Sequence, residues 1–170
     1  MFEIVQEPDY GGMSRTIVHL VLHGEVLQEN PERLTDRGKN QVFELARSRL
    51  VAAPAKVYSA PFNPSKESAD IMAKELFSKT QQKDCLVELD FGAKKVDETI
   101  LREHLPQLWK DPNYSPKSGE SMRDAQQRFS KCVTQIARVH SESSVAIIAQ
   151  PIVFALFHQL VIGGEPQISE

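Results

Sequence analysis

The sequence predicts an α/β fold of three layers, in which helices cover both faces of a mostly parallel central sheet. Two strongly apolar runs, 17–22 and 144–149, have the composition of strands buried on both faces. Helical patterns alternate with the strands along the chain, which is typical of a parallel sheet. The chain has 170 residues, of which 41% are hydrophobic, so we expect a single domain over residues 1–170.

The composition excludes several classes of partner. The net charge is −3 and no basic stripe is present, so we expect neither a nucleic acid nor a membrane surface as partner. No leader pattern is visible, and we therefore expect a cytoplasmic location. Cys85 and Cys132 lack the spacing of metal ligands, which predicts buried free thiols, with a disulfide as the alternative. We expect no metal and no cofactor.

The first third of the chain reads as a lead-in, a strand and a helix. Residues 1–14 contain Pro and Gly, which indicates a flexible segment. A strand follows over about 16–22. Thr35 is a typical helix N-cap residue. In the helix that we expect after it, the apolar residues fall on one face: Val42, Leu45, Ala46 and Leu50.

The middle of the chain predicts two more strands around a second helix. We expect a strand over 55–59 and then a helix, with Asn63 as its cap and Pro64 at its first position. The helix extends to about residue 77, and its inward face is Ala69, Met72, Ala73 and Leu76. The run 85–92 alternates and ends in Gly, which indicates a third strand.

The last part predicts three helices and the second strongly apolar strand. Residues 97–110 are helical in pattern despite Pro106, and the most periodic helix covers 120–139. Strand 144–149 comes next. Pro151 then occupies the first position of a helix that reaches residue 161 and ends before Gly163 and Gly164.

The first apolar strand stops at His23-Gly24, and this position directs attention to His23. Ligands of parallel sheets bind beyond the carboxyl ends of the strands, so His23 would lie at the mouth of that crevice. Imidazole can accept a phosphoryl group or a proton near neutral pH. The alternative is a polar residue that only completes a turn.

Several local motifs occur in a distinctive order. They are Leu22-His23-Gly24-Glu25, residues 34–41, 58–62, 86–92, 109–112 and 118–121, and Arg128. From Ile17 to Gly164 the chain resembles the histidine phosphatase superfamily, which includes cofactor-dependent phosphoglycerate mutase. The resemblance implies a phosphoglycerate mutase-like fold, with His23 as nucleophile and Glu88 as proton donor. It also places Gly24, Glu25 and Gln150 at the binding site.

Three positions depart from that family's phosphate pocket. Leu22 and Pro64 stand where the family has Arg, and Gln150 stands where it has a second His. Loss of one such donor typically costs roughly 10²–10³ in rate, so we expect a combined loss on the order of 10⁴ or more. Other cations could compensate only if they reached the pocket; the candidates are Lys66, Lys94, Lys95 and Arg123.

These departures lead to two functional hypotheses. The first is a catalytically impaired or inactive member of the fold that acts as a binding or interaction module, with a phosphorylated small molecule or a protein as partner. The alternative is an active phosphomonoesterase or mutase-like enzyme with a rearranged pocket. A third option is hydrolysis of a non-phosphate substrate by His23 and Glu88 alone, which no feature of the sequence supports. The family usually has a further strand after the last helix, so either this sheet is one strand short or the chain has been trimmed. A missing edge strand would leave backbone groups unpaired, and these could serve a homodimer or pairing with a partner.

Overall fold

The computed structural model describes residues 2–6, 14–93, 96 and 98–163. Within these residues it is an α/β fold with a mostly parallel central sheet and five helices, as the sequence predicted. The strands are β1 Phe2–Gln6, β2 Ser14–Leu22, β3 Val57–Ser59, β4 Thr80–Gln82 and β5 Ser144–Ala149. The helices are α1 Asp36–Arg47, α2 Asn63–Glu75, α3 Glu98–Lys110, α4 Met122–Arg138 and α5 Pro151–Val161. None of the helices in this described part is long and apolar enough to cross a bilayer.

The chain divides into two compact units. The first comprises residues 1–87 and 132–150, and it contains the described sheet together with α1 and α2. The second comprises residues 88–131 and 151–170, and it contains α3, α5 and the first part of α4.

The sheet of the first unit has the strand order β1-β2-β5-β3-β4. All neighbouring pairs are parallel except β1 with β2. The register of the central pair runs from Ile17 opposite Ser144 to Leu22 opposite Ala149. Because β2 and β5 end side by side, the residues that follow them emerge together at one edge of the sheet.

Helical segments of the first unit lie on both faces of this sheet. On one face, α1 and α2 pack against the strands in a buried cluster: Val42, Ala46, Val51, Val57, Ala69, Met72, Ala73, Ala146 and Ile148. On the other face, the Thr16 hydroxyl donates to the carbonyl of Ala137 at the end of α4, over 3.0 Å. Removal of these apolar surfaces from water is the main stabilising term for such an arrangement.

The second unit has its own apolar contact between α4 and α5. The rings of Phe129 and Phe157 meet edge to face with centroids 5.8 Å apart. Beside them the Gln126 amide donates to the Leu156 carbonyl over 2.8 Å, so this buried polar group is satisfied.

The strands differ from the prediction at three places. Residues 2–6, assigned to a flexible lead-in, form β1, because Phe2–Gln6 supplies β-prone residues that pair with β2. The predicted strand 85–92 is a 3-10 turn at Asp84–Leu86 followed by irregular chain. The strand beside β3 is instead β4, whose three residues are all exposed and therefore carry no apolar signal. The rest of the lead-in and the tail beyond residue 163 lie outside the described residues.

The prediction of free thiols was also wrong. Cys85 and Cys132 form a disulfide with their Cα atoms 5.8 Å apart, and no cysteine of the chain is free. The two residues are 47 positions apart, and sequence spacing alone gives no sign that the 3-10 turn reaches α4.

One of the two predicted helix caps was confirmed. The Thr35 side chain accepts a hydrogen bond from the Gly38 N–H over 2.8 Å at the start of α1. At α2 the cap is Phe62 rather than Asn63, and it makes no side-chain capping bond. Pro64 still fits the first turn, because a missing N–H costs nothing there.

Candidate functional site

His23 follows directly after β2, at the edge of the sheet where the sequence placed it. Its backbone N–H donates to the Ala149 carbonyl over 3.2 Å. Gln150 is the next residue after Ala149, so His23 and Gln150 leave two adjacent strand ends of the first unit. This is the crevice position expected for a ligand site in a parallel sheet.

The hydrogen bond of the His23 ring determines which nitrogen is available for chemistry. Nδ1 lies 2.8 Å from the Gly24 carbonyl oxygen, which can only accept, so Nδ1 carries the proton. In the neutral ring Nε2 then holds a lone pair, and no described residue bonds to it. The Phe62 ring meets the imidazole edge to face at 5.9 Å and restrains its orientation. The ring can therefore act as a nucleophile or base through Nε2.

Gly24 is required by a close backbone approach. A Cβ at this position would lie 2.3 Å from the Gly38 carbonyl oxygen at the start of α1. The Gly24 N–H donates to the hydroxyl of Ser68, a fully buried residue of α2, over 3.1 Å. Neither Ser68 nor the contact of Phe62 with His23 could be predicted, since nothing in the sequence spacing connects these residues with the end of β2.

Glu25 connects the end of β2 with α1. Its carboxylate accepts from the Thr35 hydroxyl over 2.7 Å and lies 3.7 Å from the exposed Arg37 guanidinium. Its N–H donates to the Gln41 side chain over 3.0 Å. These bonds give Glu25 a structural role in the loop; its binding role, like that of Gly24 and Gln150, stays a prediction.

Leu22, Pro64 and Gln150, which stand where the family has Arg, Arg and His, carry no positive charge. Leu22 is 43% exposed, whereas Pro64 is buried in the first turn of α2. The ammonium of Lys66 bonds to the Asn63 side chain over 3.2 Å. In the second unit, Arg123 donates to Asn113 over 2.9 Å. Lys94 and Lys95 lie outside the described residues.

Glu88 belongs to the second unit, where its carboxylate caps α5. One oxygen accepts from the N–H groups of Leu89 and Val153, and the other accepts from Ile152, each over 2.9 Å. The first N–H groups of a helix lack partners within the helix, and a carboxylate there also meets the positive end of the helix dipole. Glu88 therefore serves as the N-terminal cap of α5, and its role as a proton donor stays a prediction.

An ion pair fixes the segment that carries Glu88. Arg128 of α4 pairs with Glu120 through two nitrogens, and both side chains are largely buried at 24% and 19% exposure. The same guanidinium donates to the Glu88 carbonyl over 3.2 Å. Glu120 also exchanges two hydrogen bonds with Asp90. Arg128 belongs to one of the sequence motifs, but the motif gives no sign of this ion pair.

A second histidine site of the first unit is structural. The Tyr58 hydroxyl lies 2.8 Å from His140 Nε2. Burial lowers the pKa of His140, and the nearby Lys56 lowers it further. Burial also lowers the pKa of His19 and raises the pKa of Tyr58. The residues described offer no group of three or more His, Cys, Asp or Glu side chains that could hold a metal ion.

Comparison with known families gives one match over most of the chain. The model of the Histidine phosphatase superfamily (branch 1) matches residues 18–168. No curated protein is significantly similar to the chain.

Solved structures with the same fold include several phosphatases. YhfR of Bacillus stearothermophilus is 22% identical with a TM-score of 0.77, over 89% of this chain and 82% of its own. The α-ribazole phosphatase of Shigella flexneri is 19% identical with a TM-score of 0.68, over 88% and 81%. The mycobacterial glucosyl-3-phosphoglycerate phosphatase is 15% identical with a TM-score of 0.68, over 86% and 80%. At these identities the likeness shows the fold.

Proposed function

Because the chain belongs to the histidine phosphatase superfamily, we propose that it keeps this fold as a binding or interaction module with little or no phosphatase activity. The observation that carries the proposal is the replacement of the phosphate-binding residues around His23. An exposed Leu22 and a buried Pro64 stand where the family has Arg.

The physical argument is electrostatic. A phosphate ester dianion needs cationic donors, and an Arg fork supplies two parallel charge-assisted hydrogen bonds. Leu22 and Pro64 supply none, and the Gln150 amide can donate a hydrogen bond without neutralising charge. Glu88, which the resemblance made the proton donor, is bonded to three backbone N–H groups instead. Both halves of the expected chemistry are therefore weakened.

A second function, an active phosphomonoesterase or mutase-like enzyme, has one observation in its favour. The His23 ring is oriented by Gly24 so that Nε2 carries a lone pair, as a phosphoryl acceptor requires. A ring that served only as a polar strand end would not need this tautomer.

Turnover of an aryl phosphate by the whole chain and by His23→Ala discriminates the two functions. We expect both proteins to hydrolyse the ester at the same background rate. A wild-type rate that disappears in His23→Ala would contradict the proposal and establish the phosphomonoesterase. The control is His158→Ala, which removes an exposed imidazole of α5.

Restoring the missing charges gives a sharper test. We expect Leu22→Arg, Pro64→Arg and Gln150→His together to raise the aryl phosphatase rate by about 10²-fold or more, because each restores a donor for the phosphoryl oxygens. Leu27→Arg with Leu50→Arg adds the same charge at exposed positions and should leave the rate unchanged. A folded triple variant, verified by circular dichroism, that stays inactive would show that more than the phosphate pocket has been lost.

The ligand class and the location remain part of the proposal. A phosphorylated small molecule or a protein partner, in the cytoplasm, is the ligand that the first hypothesis requires. A disulfide is uncommon in that reducing compartment, so mass spectrometry of the cysteines in cell extracts tests the location. The homodimer also stays a prediction, and sedimentation equilibrium tests it.

A further inference from the structure

A pocket of about 130 Å³ in the first unit opens onto the Cys85–Cys132 disulfide. Both cysteines line it, together with Lys83, Tyr58, Gln135 and Val139. A pocket of this size admits a thiol side chain but not a folded protein domain. The disulfide is therefore positioned to meet small molecules from solvent.

The two sulfur-bearing residues differ in accessibility. Cys85 lies on the 3-10 turn Asp84–Leu86 and is half-buried, whereas Cys132 lies within α4 and is 2% exposed. Thiol–disulfide exchange requires the attacking thiolate to contact one of the two sulfurs. Accessibility therefore favours attack at Cys85.

The charge of the pocket favours an anionic thiol. Lys83 lines the pocket beside Cys85, and its ammonium attracts a thiolate or a carboxylate that enters. Asp84, the neighbouring carboxylate, is exposed and does not line the pocket. The other lining residues are neutral, so Lys83 supplies the charge of the pocket lining.

We propose that Cys85 is a thiol-exchange site for small anionic thiols of the glutathione type. The thiolate attacks Sγ of Cys85, the bond between the two cysteine sulfurs breaks, and the electron pair leaves on Sγ of Cys132, which takes a proton from solvent. The product is a mixed disulfide at Cys85. A second thiol attacks the sulfur of the first, giving the Cys85 thiol and the oxidised dimer of the reagent.

The stability of the leaving thiolate opposes attack at Cys85, whereas accessibility favours it. The site of the adduct therefore shows which of these two factors dominates. A thiolate at buried Cys132 is poorly solvated, whereas one at Cys85 would lie near Lys83. Attack at Cys132 would thus give the better leaving group. Since the reagent must first reach the sulfur, accessibility decides, and exchange at Cys85 is slow but selective.

Peptide mapping after exchange tests the site directly. Trypsin separates the cysteines into peptides 84–94 and 132–138. The oxidised protein is incubated with reduced glutathione, quenched with acid and digested without reduction. We expect the glutathione adduct on the peptide of Cys85 and a free thiol on that of Cys132. Glutathione disulfide should likewise modify Cys85 in Cys132→Ser.

Three results would overturn the proposal. The first is an adduct on Cys132. The second is exchange that occurs only at the rate of global unfolding, independent of thiol concentration. The third is an isolated protein whose intact mass shows no disulfide. The wild-type mapping remains decisive even if Cys132→Ser does not fold.

The role of Lys83 is tested by comparing glutathione with the neutral thiol 2-mercaptoethanol. We expect Lys83→Gln to lower the glutathione rate about threefold and the 2-mercaptoethanol rate by less, because both reagents attack as thiolates but only glutathione also carries carboxylates that the ammonium attracts. Lys131→Gln removes an exposed ammonium adjacent to Cys132 in sequence but outside the pocket lining, and it should change neither rate. Equal effects of the two variants would remove Lys83 from the proposal.

Discussion

The end of β2 in the first unit and the Glu88 segment of the second share one structural feature, a glycine in close contact with another stretch of backbone. In each, a glycine lies so close to another backbone that a Cβ would be 2.3 Å from a carbonyl oxygen: Gly24 against Gly38, and Gly92 against Lys117. The side chains that these segments present differ. His23 has one ring nitrogen bonded and Nε2 without a described partner, whereas both oxygens of Glu88 accept backbone N–H groups.

The difference teaches that two similarly constrained backbone segments can present side chains with very different hydrogen bonding. The backbone around His23 and around Glu88 is equally constrained, so the scaffold can hold both side chains in place. The neutral His23 ring has a lone pair on Nε2, to which no described residue bonds. The Glu88 carboxylate accepts from the first N–H groups of α5. Four changes test this comparison.

The largest effect should come from Gly24→Ala. The new Cβ meets backbone atoms that cannot rotate away, so we expect a loss of about 3 kcal/mol in the free energy of unfolding, measured by urea denaturation. Gly163→Ala is the matched control, because its Cβ would meet no atom within 4 Å and only its φ of +78° is unfavourable. There we expect a loss of about 1 kcal/mol. Equal losses would show that the contact with Gly38 is not tight.

Glu88→Ala should rank second, with a loss of about 2 kcal/mol, because three backbone N–H groups lose their acceptor. His23→Ala, measured in the same way, should cost less than half of that, since its ring makes one hydrogen bond and one edge contact. Glu103→Ala, at an exposed position of α3, controls for the loss of a carboxylate. A larger loss for His23→Ala would reverse the assignment of structural and chemical roles.

Arg128→Lys should cost about 1 kcal/mol, because an ammonium keeps the charge but cannot bond Glu120 through two nitrogens and reach the Glu88 carbonyl. Hydrogen exchange should also rise at the N–H groups of Asp90 and Glu120, which bond across this segment. Arg138→Lys, at an exposed position near the end of α4, is the control. Unchanged exchange in Arg128→Lys would mean that the ion pair does not hold the Glu88 segment.

The smallest expected effect concerns two imidazoles of the first unit, the buried His19 and the half-buried His140. Burial lowers the pKa of both His19 and His140 in the folded chain, below the ordinary value near 6.5. Between the folded and the ordinary pKa the unfolded chain binds more protons, so stability should fall as the pH decreases below about 6.5.

Urea midpoints between pH 8 and pH 5 measure this dependence. His140→Gln keeps an acceptor for the Tyr58 hydroxyl and should flatten the dependence, while His158→Gln, at an exposed position, should not. A slope that is the same in all three proteins would assign the pH dependence to other groups.

The elements with an apolar face could be predicted from the sequence, and those without one could not. Each long helix buries one face, and the apolar residues of that face recur at helical spacing in the sequence. Val42, Met72 and Phe129 are buried examples on α1, α2 and α4. β4 is fully exposed, so no pattern marks it. The position of His23 followed from the rule for strand ends, since that rule depends on local order alone.

The role of Glu88 shows what spacing cannot reveal. Its carboxylate binds N–H groups that lie 64 and 65 residues further along the chain. The disulfide has the same character, because Cys85 and Cys132 meet only when the 3-10 turn and α4 are in place. Such partners are decided by the tertiary fold, and a sequence motif records only that the residue is present.

The disulfide also determines how the chain responds to mechanical force. Tension applied at the two termini passes from Cys85 directly to Cys132, so the intervening residues bear no load while the bond is intact. A separation of 47 residues corresponds to about 160 Å of contour length at about 3.4 Å per residue. In a single-molecule pulling experiment, the fully unfolded oxidised chain should therefore be shorter than the reduced chain by about this length. The missing length should appear once the disulfide is reduced.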